Sequence, residues 1–300
     1  MGSNLFSGVY TALVTPFHDD GSLDEEGYRA LIEAQIEDGI SGLVACGTTG
    51  EAATLSAEEH LRVVRLCVEA AKGRVPVLAG AGSNNTRVAC ELHQAVAELG
   101  VSGSLQVTPW YNKPCQEGLY QHFGAVAASH ALPIMLYNVP GRTSIDLLPD
   151  TVSRLAHDFK NVVAIKEATG SIGRAQAILE RTAETLPHFS VLSGEDAFIL
   201  GLLSIGGHGV VSVISHLCVK ELANMFDAYY ANEKEKAQAL SRKVSALQPM
   251  MFFKPNPVPV KQALALQGKI KAKVRLPLVA LNEAEKAELK NQLSESGWLE

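Results

Sequence analysis

The sequence lacks the features that mark secreted, membrane-spanning or metal-dependent proteins. Its five cysteines are scattered through 300 residues without CxxC spacing, so reduced thiols are expected rather than a disulfide framework or a zinc site. Its nine histidines show neither HExxH nor HxH spacing, and no metal is predicted. No apolar run approaches the roughly 18 residues of a membrane helix, so no membrane span is predicted.

An excess of positive charge is also lacking. The 26 Lys and Arg residues are outnumbered by 32 Asp and Glu residues, which gives a net charge of −6, and no basic run occurs. Neither nucleic acid nor an anionic membrane is therefore an expected partner. The opening MGSNLFSG has no basic region followed by a long apolar region, so no signal peptide is predicted and the cytoplasm is the default compartment.

The sequence does contain a regular alternation of short apolar runs and segments with helical spacing. Eight runs rich in β-branched residues occur, at Val9–Val14, Gly42–Cys46, Pro76–Ala79, Ser104–Val107, Ile134–Tyr137, Val162–Ile165, Ser190–Leu192 and Gly209–Val213. Alternating strands and helices predict parallel strands joined by crossover helices. Eight such units predict an α/β fold of the (β/α)₈ TIM-barrel type. The rival, a doubly wound open sheet, usually carries GxGxxG in its first turn, and TPFHDDGSLD lacks it.

The pattern changes after about residue 232. Helical spacing continues there without strands between the helices, at Glu233–Leu247, Val260–Leu266 and Asn282–Leu293. We therefore expect residues 1–231 to form the catalytic barrel and residues 232–300 to form a C-terminal helical extension.

The strand ends are where a barrel carries its active site. Of these, the run VVAIKEATG at residues 162–170 is the most informative, because its apolar residues lead directly into Lys166. A lysine desolvated among apolar side chains has a lowered pKa and can attack a carbonyl group as a neutral amine. Alternatively, Lys166 extends to solvent or pairs with Glu167. Lys113 and Lys261 compete for the nucleophilic role but rank lower, since both lie in polar segments flanked by proline.

Other strand ends carry hydroxyl groups and an arginine. Tyr137 can shuttle a proton or cap the core with its hydroxyl group, and Tyr111, next to Trp110, can be an aromatic lid alone. The Gly47–Gly50 turn can present N–H groups and threonine hydroxyls to a carboxylate, or be a simple turn. Arg142 can bind a carboxylate bidentately or form a surface salt bridge.

Motifs of other chemistries are missing or misplaced. No GxSxG or P-loop sequence occurs. Barrels that bind phosphorylated sugars usually have glycine-rich loops after strands seven and eight. Here the glycines of residues 206–209 precede the eighth run, which argues against a phosphosugar isomerase, although Ser193-Gly194 leaves that alternative open.

Taken together, the motifs resemble the pyruvate-dependent class I aldolase and lyase family that includes dihydrodipicolinate synthase and N-acetylneuraminate lyase. The resemblance extends from TALVTPF at Thr11–Phe17 to KPNPVPVK at Lys254–Lys261. Its markers are GTTGE at Gly47–Glu51, YNVPGRT at Tyr137–Thr143 and IKEATG at Ile165–Gly170. Within the family, GTTGEAATLS and VTPWYNKPCQEGLY are most similar to the synthase branch.

This resemblance implies a reaction. The synthase branch condenses pyruvate with aspartate 4-semialdehyde through a lysine Schiff base to give 4-hydroxy-tetrahydrodipicolinate, the first committed step of diaminopimelate and lysine biosynthesis. It implies no metal and no organic cofactor, and a homotetramer built as a dimer of dimers. Two alternatives stay open: a pyruvate aldolase of the same family with another aldehyde, and a catalytically silent ligand-binding or regulatory barrel.

The resemblance also implies roles for individual residues. Lys166 would form the Schiff base, and a proton relay would consist of Tyr137, Thr48 and Tyr111, the last supplied across a subunit interface. The substrate-binding residues would be Thr49, Arg142, Val211 and Gly194, with Thr48 and Thr49 on the pyruvate carboxylate, Val211 adding a backbone contact and Arg142 on the carboxylate of the aldehyde.

One region departs from the lysine-inhibited members of the family. Their regulatory pocket has a histidine, a glutamate and a tyrosine at places that here hold Ala57, Val88 and Trp110, although His60 and Asn84 match. The ammonium group of a bound lysine needs a carboxylate, which Val88 does not supply. We therefore expect weak or absent inhibition by lysine.

Overall fold

The eight predicted strands form a closed parallel barrel. The structure, a computed structural model, describes residues 4–299; residues 1–3, which begin the segment without a predicted signal peptide, and residue 300 lie outside it. The strands neighbour one another in chain order around the barrel. They are β1 (Gly8–Ala12), β2 (Gly42–Ala45), β3 (Val77–Gly80), β4 (Gly103–Val107), β5 (Ile134–Asn138), β6 (Val162–Glu167), β7 (Ser190–Ser193) and β8 (Gly209–Ser212). The predicted fold class is confirmed.

Helices follow the strands and fill the C-terminal part of the described chain. They are α1 (Glu25–Glu37), α2 (Ala57–Ala71), α3 (Thr86–Ala97), α4 (Gln116–Ser129), α5 (Pro140–Thr143), α6 (Pro149–Asp158), α7 (Ile172–Thr182), α8 (Ile199–Ser204), α9 (Ser215–Tyr230), α10 (Lys234–Ser245), α11 (Leu247–Phe252), α12 (Val258–Leu266) and α13 (Glu283–Glu295). Short 3-10 helices lie at Ala52–Thr54 and Asp196–Phe198. Within residues 4–299, none of these helices combines the length and apolar character that crossing a bilayer requires.

Local sequence explains where several helices begin. The Ser56 hydroxyl accepts the Glu59 N–H at 3.1 Å, and the Glu59 carboxylate accepts the Ser56 N–H at 2.9 Å, which is the reciprocal cap that starts α2. Pro149 occupies the first turn of α6, where its missing N–H costs no hydrogen bond. Two short helices were not predicted, α5 and α11; Pro140 opens α5, in a segment that the Pro-Gly pair marks as a turn.

Chain contacts divide the protein into two compact units. One comprises Met1–Gly8 and Val77–Ser212, and the other comprises Val9–Pro76 and Val213–Glu300. In the first unit, a continuous apolar core joins strands β5 to β7 with α4, α6 and α7, through residues such as Phe123, Ile165 and Val191. In the second unit, α9 packs against α10, and α12 against α13. The division into a barrel of residues 1–231 and an extension of residues 232–300 stays a prediction.

Candidate active site

Lys166 lies on the penultimate residue of β6, with strands on both sides. It pairs in register with Tyr137 of β5 and with Leu192 of β7. The side chain is buried, with 6% of its surface exposed, and its Nζ lies 4.3 Å from the centre of the Tyr137 ring. The structure therefore brings the predicted nucleophile and the predicted proton donor together, and a contact of this kind between a cation and a ring is attractive.

Neither of the alternative interpretations of Lys166, extension to solvent or pairing with Glu167, matches this arrangement. Its side chain is not extended to solvent, and the carboxylate of Glu167 faces other partners. Glu167 accepts the Thr169 N–H at 2.7 Å and the Asn138 side-chain amide at 3.1 Å. Burial, the largest influence, raises the pKa of Glu167, and these hydrogen bonds oppose the rise.

Asn138 links the ends of two strands. Its amide nitrogen also donates to Asp146 at 2.9 Å, and its amide oxygen accepts the Leu147 N–H at 2.9 Å. Asp146 in turn binds Arg174 at 2.6 Å. Because both N–H groups and the carbonyl oxygen of the Asn138 side chain are hydrogen-bonded, the network fixes the backbone that carries Tyr137 and Lys166.

Gly194 lies against Lys166 after β7. Its N–H donates to the Glu167 carbonyl oxygen at 2.7 Å. A Cβ atom at residue 194 would lie 2.5 Å from the Ala168 Cβ and 3.0 Å from the Lys166 Cε. Glycine is therefore required for the close approach of this backbone to the lysine side chain.

Lys166 and Arg142 both place a positive charge near Glu195. Arg142 lies on α5, is exposed, and forms no ion pair within the described part of the chain, so a surface salt bridge does not account for it. Burial and the neighbouring Asp196 raise the pKa of Glu195, while the positive charges of Lys166 and Arg142 act against that rise. Glu195 received no role from the sequence, although its position at the end of the seventh run was the signal that could have identified it.

Thr48 and Thr49 lie on a tight turn after β2, in the second unit. The Gly50 N–H donates to the Gly47 carbonyl oxygen at 3.1 Å, and the Thr15 hydroxyl donates to the Gly50 carbonyl oxygen at 2.7 Å. Thr48 is exposed, whereas Thr49 is 3% exposed. The turn thus presents one open and one covered hydroxyl group.

The polar surroundings predicted for Lys261 were wrong, although the predicted helix at Val260–Leu266 agrees with the structure. The structure places it on α12, with a fully buried side chain whose Nζ lies 2.5 Å from a carboxylate oxygen of Glu51. Desolvation lowers the pKa of Lys261 to about 8, and the Glu51 carboxylate acts in the opposite direction. Glu51 lies in GTTGE and Lys261 in KPNPVPVK, two of the motifs on which the family resemblance rests. Nothing in the sequence pairs these residues, which are 210 positions apart.

Two further predicted residues lie in opposite environments. Val211 is buried on β8. Tyr111 is 90% exposed and has a φ of 74°, an uncommon backbone conformation for a residue with a bulky side chain. Its segment is held by Asn84, whose side-chain amide donates to the Trp110 carbonyl oxygen at 3.1 Å. The chain holds the backbone of Tyr111 in place and leaves its ring uncovered.

The fold and the strand-end residues define a class of protein, the (β/α)₈-barrel enzymes. A profile of the dihydrodipicolinate synthetase family matches residues 5–296. The chain belongs to this family, and the resemblance of its motifs is confirmed.

Individual relatives agree with this assignment. A 4-hydroxy-tetrahydrodipicolinate synthase of Maridesulfovibrio salexigens is 50% identical over 294 residues, which cover 98% of this chain and 99% of the relative. The solved dihydrodipicolinate synthase of Thermotoga maritima superposes with a TM-score of 0.95 at 42% identity, covering 98% of this chain and 100% of the other. The dihydrodipicolinate synthase of Cyanidioschyzon merolae, solved with lysine bound, gives a TM-score of 0.94 at 39% identity over 99% and 100% of the two chains.

Proposed function

We propose that this protein condenses pyruvate with aspartate 4-semialdehyde to give 4-hydroxy-tetrahydrodipicolinate, in diaminopimelate and lysine biosynthesis. Relatives across nearly the full chain carry the name of that synthase. The structural observation that carries the proposal is the buried amine of Lys166, 4.3 Å from the centre of the Tyr137 ring at the end of β6.

The first half of the reaction uses the lysine as an electron sink. The Lys166 amine attacks the keto carbon of pyruvate, and loss of water leaves an iminium ion. Because the positive nitrogen withdraws electrons, the methyl group of pyruvate loses a proton and an enamine forms. A lysine supplies this activation without a metal ion or an organic cofactor.

The second half forms the new carbon–carbon bond. The enamine carbon attacks the aldehyde carbon of aspartate semialdehyde, whose oxygen takes up a proton. The amine of the same substrate then attacks the iminium carbon, closes the ring and releases Lys166 as a free amine. The lysine is thus regenerated in each cycle.

The remaining site residues move protons and hold carboxylates. We assign the proton relay to Tyr137, Thr48 and Tyr111. The other four residues bind substrate: Thr49 and the backbone of Val211 hold the pyruvate carboxylate, Gly194 admits pyruvate beside the lysine, and Arg142 binds the carboxylate of the aldehyde. The free guanidinium group of Arg142 supports an acidic aldehyde over a neutral sugar aldehyde.

The proposal includes an assembly. The ring of Tyr111 is 90% exposed on this chain, which supports its use in the site of a second copy. We propose a homotetramer built as a dimer of dimers, acting in the cytoplasm.

The experiment that tests the function is a coupled assay. Pyruvate and aspartate semialdehyde are supplied, and the next reductase of the pathway reports product through NADPH oxidation, with Lys166→Ala as the matched variant. Turnover that the variant loses supports the whole proposal. A folded protein that forms a pyruvate adduct without turnover would overturn the aldehyde, and absence of the adduct would overturn the Schiff base.

A further inference from the structure

Buried polar side chains lie directly behind the Gly47–Gly50 turn, on residues that the reaction steps above do not use. Glu51 ends the turn with a φ of 53°, a left-handed conformation that is uncommon for residues other than glycine and asparagine. Behind it lie Asn256 and Lys261, which are both buried. All of these residues belong to the unit formed by Val9–Pro76 and Val213–Glu300.

The Glu51 carboxylate is held at both oxygens. One accepts the Lys261 ammonium group at 2.5 Å, and the other accepts the Arg275 N–H at 3.0 Å. Lys261 also donates to the Lys273 carbonyl oxygen at 2.7 Å, and its Nζ lies 4.2 Å from the centre of the Phe17 ring. A buried pair with this many partners fixes one geometry, because any displacement would leave a charge unpaired in the interior.

Asn256 determines which way the Thr49 hydroxyl points. Its amide nitrogen donates to the Thr49 Oγ1 at 2.9 Å. A hydroxyl group has one hydrogen and two lone pairs, so this bond uses a lone pair and leaves the hydrogen available. The opposite amide orientation would bury an unpaired NH₂ group instead of an unpaired carbonyl oxygen, and buried unpaired N–H groups are the rarer of the two.

The hydroxyl of Thr15, also next to the turn, behaves differently from that of Thr49. Thr15 donates its hydroxyl hydrogen to the Gly50 carbonyl oxygen, so this hydrogen is already used in an internal hydrogen bond. Within residues 4–299, the Thr49 side chain makes one hydrogen bond, from Asn256, and its hydroxyl oxygen is the acceptor. The Thr49 hydroxyl hydrogen is therefore available to donate a hydrogen bond to a bound anion.

We propose that Asn256 is a positioning residue that directs the Thr49 hydroxyl hydrogen toward the carboxylate of pyruvate, and that the Glu51–Lys261 pair holds the turn on which Thr49 lies. This inference rests on the proposed function, because it requires a keto acid bound at the turn. Asn256 contacts Thr49 and acts through it, so it is not itself a catalytic residue.

The central variant is Asn256→Asp. Aspartate has nearly the size of asparagine, but its carboxylate accepts the Thr49 hydrogen and repels the carboxylate of pyruvate. We measure the pyruvate concentration that half-saturates the borohydride-trapped adduct, and we expect it to rise by at least about tenfold. In turnover assays, KM for pyruvate should rise likewise, while KM for the aldehyde should change by less than about twofold.

A second variant and a double-mutant cycle separate positioning from a structural role. Asn256→Ala removes the donor without adding charge, so a rise of about threefold in half-saturation is expected. If Asn256 acts through Thr49, then the neutral substitution Asn256→Ala in a Thr49→Val background should add much less than the rise of about threefold that it causes in the unmodified protein. Full additivity would overturn the inference.

The outcomes distinguish this inference from the proposed function. Thermal unfolding checks that each variant is folded, and if Asn256→Asp does not fold, Asn256→Ala and its Thr49→Val cycle decide the matter. Failure of the unmodified protein to form the pyruvate adduct would overturn the proposed function. An adduct in the unmodified protein, with unchanged half-saturation in folded Asn256 variants, would overturn the positioning role alone.

Discussion

At the residue scale, Gly194 is the position where an added Cβ atom would lie against the side chain of Lys166, the proposed nucleophile. In Gly194→Ala, the new Cβ would lie 2.5 Å from the Ala168 Cβ, so the backbone must shift, and the Lys166 side chain shifts with it. We expect kcat to fall at least about tenfold and the free energy of unfolding to drop by about 1–3 kcal/mol. Steady-state kinetics and denaturant unfolding measure the two effects.

The matched control for this substitution is Gly173→Ala on α7. The nearest atom to a Cβ there is the Ser171 Oγ at 3.9 Å, an ordinary contact. Alanine is favoured over glycine in a helix by about 1 kcal/mol, so this variant should be active and no less stable. Wild-type activity of Gly194→Ala would contradict the account of the close approach.

Sensitivity to inhibition by L-lysine also depends on single residues. Val88 is partly exposed on α3 and offers no carboxylate to an ammonium group. We expect L-lysine in the low-millimolar range to change the rate by less than about twofold, with sodium chloride at equal ionic strength as the control. Strong inhibition at these concentrations would show that another group of the chain binds the ammonium.

The sequence predicted one buried lysine and missed the other, for a physical reason. The apolar run before Lys166 is a local signal, and the structure confirms its burial. Lys261 follows three prolines in KPNPVPVK, and these polar surroundings ranked it low as a buried amine, yet Pro259 is accommodated in the first turn of α12 and the side chain is fully buried. Its burial depends on pairing with Glu51 across 210 positions, which no local pattern encodes.

At the scale of elements, α2 is tied to the C-terminal segment through Glu59. Arg275 donates to both carboxylate oxygens of Glu59, at 2.6 and 2.8 Å, and this lowers the pKa of Glu59 from 4.5 to about 2. Since the folded-state pKa is depressed, the stabilisation is fully present above pH 4.5 and is lost as the pH falls through about 2. Glu59→Gln should therefore be less stable than the unmodified protein at neutral pH, with a smaller loss of stability on acidification.

The control is Glu58→Gln, one residue earlier in the first turn of α2. It removes an acidic side chain at the same end of the helix, so it reports the interaction with the helix dipole alone. Free energies of unfolding are measured from neutral to acidic pH for both variants. Identical pH profiles for Glu59→Gln and Glu58→Gln would contradict the role assigned to Arg275.

Strands proved easier to predict than the elements that join them. Each predicted strand agrees with the structure to within two residues at either end, because buried parallel strands form short, mostly apolar runs that stand out from the neighbouring helices. The short helix α5 was missed, since Pro-Gly is equally typical of a turn, and only the packing of the segment after β5 decides between the two.

At the scale of the whole molecule, the proposed sharing of Tyr111 predicts complementation between two inactive proteins. Tyr111→Phe chains keep Lys166, and Lys166→Ala chains keep Tyr111. If the tyrosine serves the partner's site, each mixed pair contains one complete site, so random mixing restores up to about a quarter of wild-type activity, since half of the pairs are mixed. The measurement is turnover after the two variants are dissociated together and reassembled.

Each variant reassembled alone is the control, and it should stay at its own low activity. If Tyr111 serves the site of its own chain, no mixed pair contains a complete site, and the mixture would show only the mean of the two variants. Such a result would contradict the shared site, whatever the assembly state.

The two compact units could not have been predicted from sequence. Each combines two separate stretches of the chain, so their limits depend on which segments pack together. The alternation of strand and helix predicts the barrel because it repeats locally, eight times. No comparable repeat marks the change from one unit to the other at Gly8, Pro76 or Ser212.

The central claim is that Lys166, among the lysines of this chain, forms a Schiff base with pyruvate. The most direct test is to reduce the protein with borohydride in the presence of pyruvate and to locate the adduct by peptide mass spectrometry. We predict the adduct on the peptide that contains Lys166, and none on the peptide that contains Lys261, the other buried lysine. An adduct on Lys261, or one that persists in Lys166→Ala, would contradict the account.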